Sequence, residues 1–336
     1  MARLWRERLA DRSMRADAPA AAGPAARLPL IDAARGVAIA AMAIYHFSWD
    51  LRYFGYIAVD VTQDLGWRLF ARSIAASFLF IVGVSLVLAT RRGFRTDRFL
   101  WRLGMIVAAA AGITAVTFFL FPDSYVFFGI LHHIAVASVL GLAFVGAPLP
   151  LVVAAAAACF LAPPLLSGPA FDSPALVWLG LATDFPRTND FVPVFPWFGV
   201  VLLGIAAARA APLLWPQGMP LAELQARVPR PVAWAGRHSL AIYLIHQPLL
   251  FGLVYAASAL APSDLTGFTS SFVESCRARC IESDVQAGIC RQTCGCLAER
   301  SQAEGLWTGM MRENLSPAET ERYFALADEC RAAAEW

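Results

Sequence analysis

Apolar runs of about 20 residues recur along this chain, each close to the length a helix needs to cross the hydrocarbon core of a bilayer. Seven can be counted, near residues 30–50, 66–90, 103–121, 126–147, 149–166, 194–211 and 238–260. Only Gly146-Ala147-Pro148 and Pro150 divide the fourth from the fifth, so theirs is the least marked boundary. The pattern predicts an all-α fold, a polytopic membrane bundle of about seven transmembrane helices over residues 28–260. Residues 1–27 read as a flexible lead-in, and residues 261–336 as a small helical tail outside the membrane.

The first run breaks the apolar pattern. Leu28 to Tyr53 carries Asp32, Arg35, His46 and Asp50, and a lipid-facing helix would lose several kcal/mol of insertion energy by holding them. These groups should therefore face a protein interior or a wet cavity. At 100° per residue, eleven steps bring His46 to within about 20° of Arg35, roughly 16 Å further along the axis. Asp32 precedes Arg35 by one turn and Asp50 follows His46 by one turn. One helix thus holds a cation toward one membrane surface and an imidazole with a carboxylate toward the other.

Composition supports the membrane reading: 58% of residues are hydrophobic, 15% are charged, and the mean hydropathy is +0.57. No lysine occurs among the 27 cationic residues, which excludes lysine chemistry such as a Schiff base. The lead-in is rich in arginine, alanine and proline without an apolar core, so it is no cleavable signal peptide. The 91–102 link holds five arginines and one aspartate, and Arg227, Arg230 and Arg237 mark the 212–237 link. By contrast, 54–64 has two aspartates and no arginine. This bias puts the N-terminus and the basic links in the cytoplasm. Seven crossings then leave the C-terminal tail outside.

Six of the seven cysteines lie in that tail: Cys276, Cys280, Cys290, Cys294, Cys296 and Cys330. Cysteines four apart stack on one helical face, so two such pairs flanking a turn can staple a helical hairpin. Among fifteen connectivities the choice is Cys276–Cys294, Cys280–Cys290 and Cys296–Cys330. A fold this small needs staples, and disulfides persist outside the cytoplasm. Zinc is the competing reading, against which the tail offers no histidine. No metal site is expected elsewhere. Ser316-Pro317-Ala318-Glu319 reads as a helix start. There is no phosphate-binding glycine loop, GxSxG elbow or HExxH, and the short basic clusters do not suit nucleic acid.

His132 and His133 in the fourth segment reach a depth close to that of His46, and only one of these neighbours can face it. His246 lies nearer the midplane of the seventh segment, and Arg68 and Arg72 share a face near the outer end of the second. Intramembrane histidines can be interhelical hydrogen-bond glue, and Arg35 can simply pair with Asp32. Against those readings, a carboxylate beside an imidazole suits a general base, and a buried arginine suits phosphate.

Asp32-x-x-Arg35-Gly36 with ten residues between Arg35 and His46 resembles the Arg-x10-His signature of integral-membrane acyltransferases. Five blocks in order, IDAARGVAIAAMAIYHFSWDLRYFG, FLFIVGVSLVLATRR, FGILHHIAVASVL, FPWFGVVLLGIAAAR and GRHSLAIYLIHQPLL, are similar to the bacterial branch of the heparan-alpha-glucosaminide N-acetyltransferase catalytic-domain family. The resemblance covers about 28 to 256. It implies transfer of an acyl group from cytosolic acyl-CoA, acetyl-CoA first, to a hydroxyl or amine of a periplasmic or lipid-linked glycan.

By position, His46 matches the family's catalytic histidine and Arg35 its arginine. The tyrosine- and glycine-rich context of the lysosomal members' histidine is missing here, so the glucosaminide substrate is not inherited. On this reading Arg35, with Arg237 or Arg102, holds the CoA phosphates. The pantetheine arm threads past Ala38, Ala40, Ala41 and Ala43. His46, oriented by Asp50, acts as base or acyl carrier, and His132 or His133 with Arg72 steadies the oxyanion. His246, Trp197 and Arg68 are assigned to the cavity or the acceptor. A proton-coupled carrier also places such groups at mid-membrane. A non-catalytic anchor presenting the cysteine-rich tail to a periplasmic protein is the third reading.

Overall fold

The computed structural model describes residues 28–57, 59–91, 93–214, 225, 227–261, 266–283, 285–311 and 315–334; the lead-in over 1–27 lies outside the described residues. Helices α1 (Pro29–Tyr53), α2 (Leu65–Thr90), α3 (Thr96–Leu120), α4 (Ile130–Val145) and α5 (Leu149–Leu166) follow in order. Then come α6 (Val194–Leu214), α7 (Arg230–Arg237) and α8 (Ser239–Leu260). Among the described residues six helices are long and apolar enough to cross a membrane, and α4 is a shorter apolar helix. The chain is a multi-pass membrane protein. Below, the near face is the end of the bundle where α1 begins, and the far face is where α1 ends.

The fourth expected span starts later than its hydropathy suggests. At 16 residues, α4 is about 24 Å long against a hydrocarbon core of about 30 Å. Residues 121–129 run non-helically before it, with Phe128 bridged in parallel to Phe191. Backbone inside a membrane protein must find partners within the protein, and this segment does. Val192 N–H donates to the Phe128 carbonyl at 3.1 Å. Thr117 Oγ1 accepts from Val126 N–H at 3.0 Å, and Asp190 Oδ2 accepts from Ile130 N–H at 2.8 Å. The two segments form a plug part-way through the bundle. Val145 and Leu149 bound the α4–α5 junction, as Gly146 and Pro148 suggest.

Small residues set the helix spacing, as is usual where lipid supplies no hydrophobic drive between helices. Gly36 of α1 faces the Val232 backbone of α7, while Gly236 of α7 faces the Asp32 backbone of α1. The two crossings in opposite order make α7 antiparallel to the start of α1. Gly83 and Gly204 bring α2 and α6 together in the same way. Leu79, Val152, Val201, Leu202 and Ile205 fill the main core behind this pair.

The tail comprises α9 (Thr266–Glu282), α10 (Ala287–Ala303), α11 (Trp307–Met311) and α12 (Pro317–Ala334). Its bridges are Cys276–Cys294, Cys280–Cys290 and Cys296–Cys330, the pairing that the hairpin geometry predicts. Ser316 and Glu319 exchange the two hydrogen bonds of a capping box, at 2.7 and 3.3 Å. Phe268, Ala298, Trp307, Leu297 and Leu326 are buried inside it. The tail rests on the far face, where the Arg52 guanidinium lies 4.8 Å from the Phe268 ring centre and Tyr56 Oη donates to the Ala261 carbonyl at 2.6 Å.

Candidate functional site

The polar face of α1 opens into a cavity of about 700 Å³ at the near face, within the usual range for small-molecule sites. Its α1 wall is Leu28, Ile31, Asp32, Arg35 and Ile39, a stripe repeating every three or four residues. Ala38, Ala40, Ala41 and Ala43, the expected path of the pantetheine arm, are not among the residues that line the cavity: Ala38 is buried and Ala40 is exposed. The far wall is α2 and α3, the floor is Ile130, Leu131 and Ile134 of α4, and Tyr243 of α8 closes the inner end.

Among the described residues, four guanidinium groups line this cavity, those of Arg35, Arg91, Arg102 and Arg237, against the single carboxylate of Asp32. Arg35 Nη1 lies 3.8 Å from Asp32 Oδ1, and its Nη2 donates to Ser85 Oγ at 2.5 Å. The Asp32 pairing foreseen as the plain explanation of Arg35 is thus present but loose. Ser85 passes its own proton to the Ile81 carbonyl, so its lone pairs face the arginine. Arg91 donates to the Ala208 carbonyl at 2.8 Å. Arg102 and Arg237 have no carboxylate partner among the described residues. The mouth therefore carries a surplus of positive charge and unused donors, which suits an anion with several oxygens.

Beyond Ile39 the same stripe continues through buried Met42 to His46. The ring of His46 lies 5.0 Å from that of His246 with the planes at 67°, and the His246 ring lies 5.9 Å from that of Tyr243. A chain of ring contacts thus links the inner end of the cavity to His46. Both histidines sit between α1 and α8, which run parallel here: Tyr53 and Phe54 meet Phe251 one and two turns further on.

Asp50 is fully buried, yet its Oδ1 accepts from Gln247 Nε2 at 2.8 Å rather than from His46. Asp50 Oδ2 and Gln247 Oε1 are buried without a hydrogen-bond partner. His246 Nδ1 lies 2.7 Å from the Tyr243 carbonyl and 3.2 Å from that of Ile242. Carbonyl oxygens only accept, so Nδ1 holds the proton and Nε2 presents a lone pair. That Nε2 is buried and has no partner.

The other sequence-expected residues go elsewhere. His132 Nδ1 accepts from Gly129 N–H, and its Nε2 meets Thr114 Oγ1, each at 3.2 Å. Thr114 spends its proton on the Val126 carbonyl, so Nε2 is the protonated nitrogen and His132 laces α3 to the plug. His133 Nδ1 lies 3.1 Å from the Val192 carbonyl, and its Nε2 is buried without a partner. Arg68 and Arg72 are exposed on α2, and Trp197 packs on the main apolar core. None of these five shows a ring contact with His46, which pairs with Tyr45 and His246. No cluster of three metal-ligating side chains occurs among the described residues.

Four residues of the site escape the motif reading: Ser85, Arg91, Tyr243 and Gln247. Gln247 carried a usable signal, since a glutamine inside an apolar helix needs a partner. Ser85 and Tyr243 carried none, because serine and tyrosine are ordinary in such helices. Taken together, the geometry offers an anion-binding mouth with apolar inner walls and, deeper on the same face of α1 but not lining that cavity, His46 against His246 of α8. A family model described as "Heparan-alpha-glucosaminide N-acetyltransferase, catalytic" matches residues 27–248. No curated protein and no solved structure matches the chain.

Proposed function

The chain belongs to the heparan-alpha-glucosaminide N-acetyltransferase catalytic-domain family, a family of transmembrane acetyltransferases, and from that membership we propose an acyl-CoA-dependent transfer across the membrane. The near face, which bears the arginines, is cytoplasmic, and the stapled tail lies on the far, periplasmic side. Acetyl-CoA enters from the cytoplasm, and the acceptor is a hydroxyl or amine of a periplasmic or lipid-linked glycan. The observation that supports this best is the four-arginine cavity on the same α1 face as His46.

Arg35, Arg91, Arg102 and Arg237 bind the phosphates of the donor, and Ser85 orients Arg35. Leu131, Ile134 and Tyr243 shield the pantetheine arm from water on its way to the thioester position. The acceptor heteroatom attacks the thioester carbonyl while His46 takes its proton. The carbon–sulfur bond breaks, and the proton passes to the departing thiolate to give free CoA. His46 can alternatively take the acyl group first and hand it on. Either route needs the imidazole unprotonated at the start.

The test uses purified full-length protein in nanodiscs, labelled acetyl-CoA and a panel of amino-sugar and polyol acceptors. His46→Ala should leave acetyl-CoA binding within about twofold and lower transfer by about 10²–10⁴-fold, the range for loss of general-base catalysis. Full transfer by His46→Ala would sink the histidine role. Absence of acetyl-CoA binding to the wild type would sink the donor assignment.

A further inference from the structure

One carboxylate inside the bundle has no part in the chemistry above. Asp190 lies on the segment that dips in from the far face to form the plug. Its Oδ2 accepts from Ile130 N–H at 2.8 Å and so caps the first turn of α4. Gly129 permits that approach, since an added Cβ would meet the Asp190 carboxyl carbon at 2.8 Å. The cap needs one oxygen only. Oδ1 accepts no hydrogen bond among the described residues, no guanidinium pairs with it there, and the residue is only half-buried.

The neighbours of that oxygen are polar and equally unspent. Ile130 belongs to the cavity floor, and Tyr243 of α8 closes the inner end. Tyr243 packs on the Leu131 cluster of α4 and also on Ile39, Met42 and Ile74, where Tyr45 of α1 packs beside it. The charge of Asp190 acts on the hydroxyls of both tyrosines. Neither hydroxyl makes a hydrogen bond among the described residues. The Tyr45 ring lies 5.7 Å from that of His46, and the Tyr243 ring 5.9 Å from that of His246. A carboxylate oxygen and two phenols, from three separate segments, are thus gathered where the cavity ends and His46 begins.

We propose that Asp190, with Tyr45 and Tyr243, forms the acceptor subsite: Asp190 Oδ1 takes hydrogen bonds from the hydroxyls of an uncharged sugar and turns away sugars that carry a carboxylate or phosphate. The inference rests on the acyl-transfer reading above and deepens it by naming the acceptor class. A carboxylate only accepts, and its two oxygens offer about four lone-pair sites, of which the cap uses one. Neighbouring ring hydroxyls supply the donors, and the phenols can donate to or accept from the rest. An anionic sugar would set a second negative charge beside Asp190 in a medium that screens poorly, without a cation to offset it. Charge therefore sorts the two substrates: the arginine mouth takes the anionic donor, and the carboxylate at the inner end takes the hydroxyl-bearing acceptor. Asp190 moves no proton, because the acylated hydroxyl gives its own to His46.

The experiment titrates methyl glucoside and methyl glucuronide against full-length protein in nanodiscs by ligand-observed NMR, with CoA present to fill the arginine mouth. Wild type should bind the glucoside at least about tenfold more tightly than the glucuronide. Asp190→Asn keeps an oxygen for Ile130 N–H. It should weaken glucoside binding by about 10- to 100-fold and erase the preference, with acetyl-CoA affinity within about twofold. Tyr243→Phe, which keeps the ring beside the pantetheine arm, should weaken the glucoside by about 3- to 10-fold. Asp184→Asn, exposed on the same segment, should match wild type. Equal binding of the two sugars by wild type overturns the inference. So does an Asp190→Asn protein that binds both as wild type does, or one that loses acetyl-CoA and both sugars in parallel, the mark of a purely structural cap. If Asp190→Asn does not fold, Tyr243→Phe decides, and unchanged glucoside binding there overturns the subsite. A wild type that shows the Asp190-dependent preference but transfers no acetyl group keeps the subsite and sinks the acyl-transfer reading.

Discussion

Replacing Gly236 by alanine tests how the fold holds the cavity, because this glycine is where α7 touches α1. An added Cβ would meet the Asp32 carbonyl carbon at 2.5 Å and its Cα at 3.0 Å, with the carbonyl oxygen nearer still. Ordinary Cβ contacts begin near 3.4 Å, so α7 must retreat by at least about 1 Å, and such overpacking costs about 1–3 kcal/mol. Arg237 is the next residue and, like Arg35, lines the cavity, so the retreat should shift one of the mouth's cations relative to another. Loss of one charge-assisted contact, about 1.5–3 kcal/mol, corresponds to a fall in acetyl-CoA affinity of about 10- to 100-fold.

The assay is titration of acetyl-CoA against nanodisc protein, paired with a thermal melt. Gly252→Ala on α8 is the control: nothing lies within 4 Å of its added Cβ. There, alanine should leave binding unchanged and stabilise the helix by up to about 1 kcal/mol. Wild-type binding and stability in Gly236→Ala would refute the claim that the α1–α7 contact sets the cavity width.

Arg35→Met should weaken acetyl-CoA binding by about 10- to 100-fold, whereas Arg68→Met, on the exposed surface of α2, should leave the titration unmoved. Denatured, unreduced protein should take up one maleimide per chain, at Cys159, the one free cysteine found beside the three disulfides; seven labels would contradict the stapled tail. The tail should also lose stability in acid. Arg322 donates to both Glu304 and Glu329, holding their carboxyl groups below the usual range near 4.5. A depressed acid stabilises the fold above its unfolded pKa and stops doing so as pH falls through the lower, folded value. Amide exchange in α12 should therefore quicken as pH drops below about 4.5, after correction for intrinsic rates. Arg322→Met should flatten that dependence.

The comparison between sequence and structure turns on what each physical signal can carry. Hydropathy locates the long membrane helices, since an unpaired backbone amide in lipid is so costly that apolar runs of this length favour helix, but it gave no sign of α7, which falls in the 212–237 link. Helical period alone put Arg35 and His46 on one face of α1, and cysteine spacing led to the three bridges of the tail. The α4 start was misjudged by four residues because Val126 to Gly129 is apolar enough for a helix. Its backbone is instead satisfied by Thr117 of the preceding helix and by the Phe191–Val192 segment, the latter more than sixty residues along the chain.

The pairing of polar groups was equally out of reach. Asp50 has His46 one turn away on its own helix and Gln247 on another, and local spacing favours the first. Packing of α1 against α8 decides for Gln247 and sets His246 beside His46. The alanines lie off the cavity for the same reason: which side of α1 is hollow depends on where α7 and α8 lie. The sequence by itself therefore determined that a cation and an imidazole share one face of the first helix, because helical periodicity is a local property. Only the tertiary structure decided what those groups touch, because hydrogen-bond partners inside a membrane bundle come from other helices, and interhelical packing is not written in the spacing of either one.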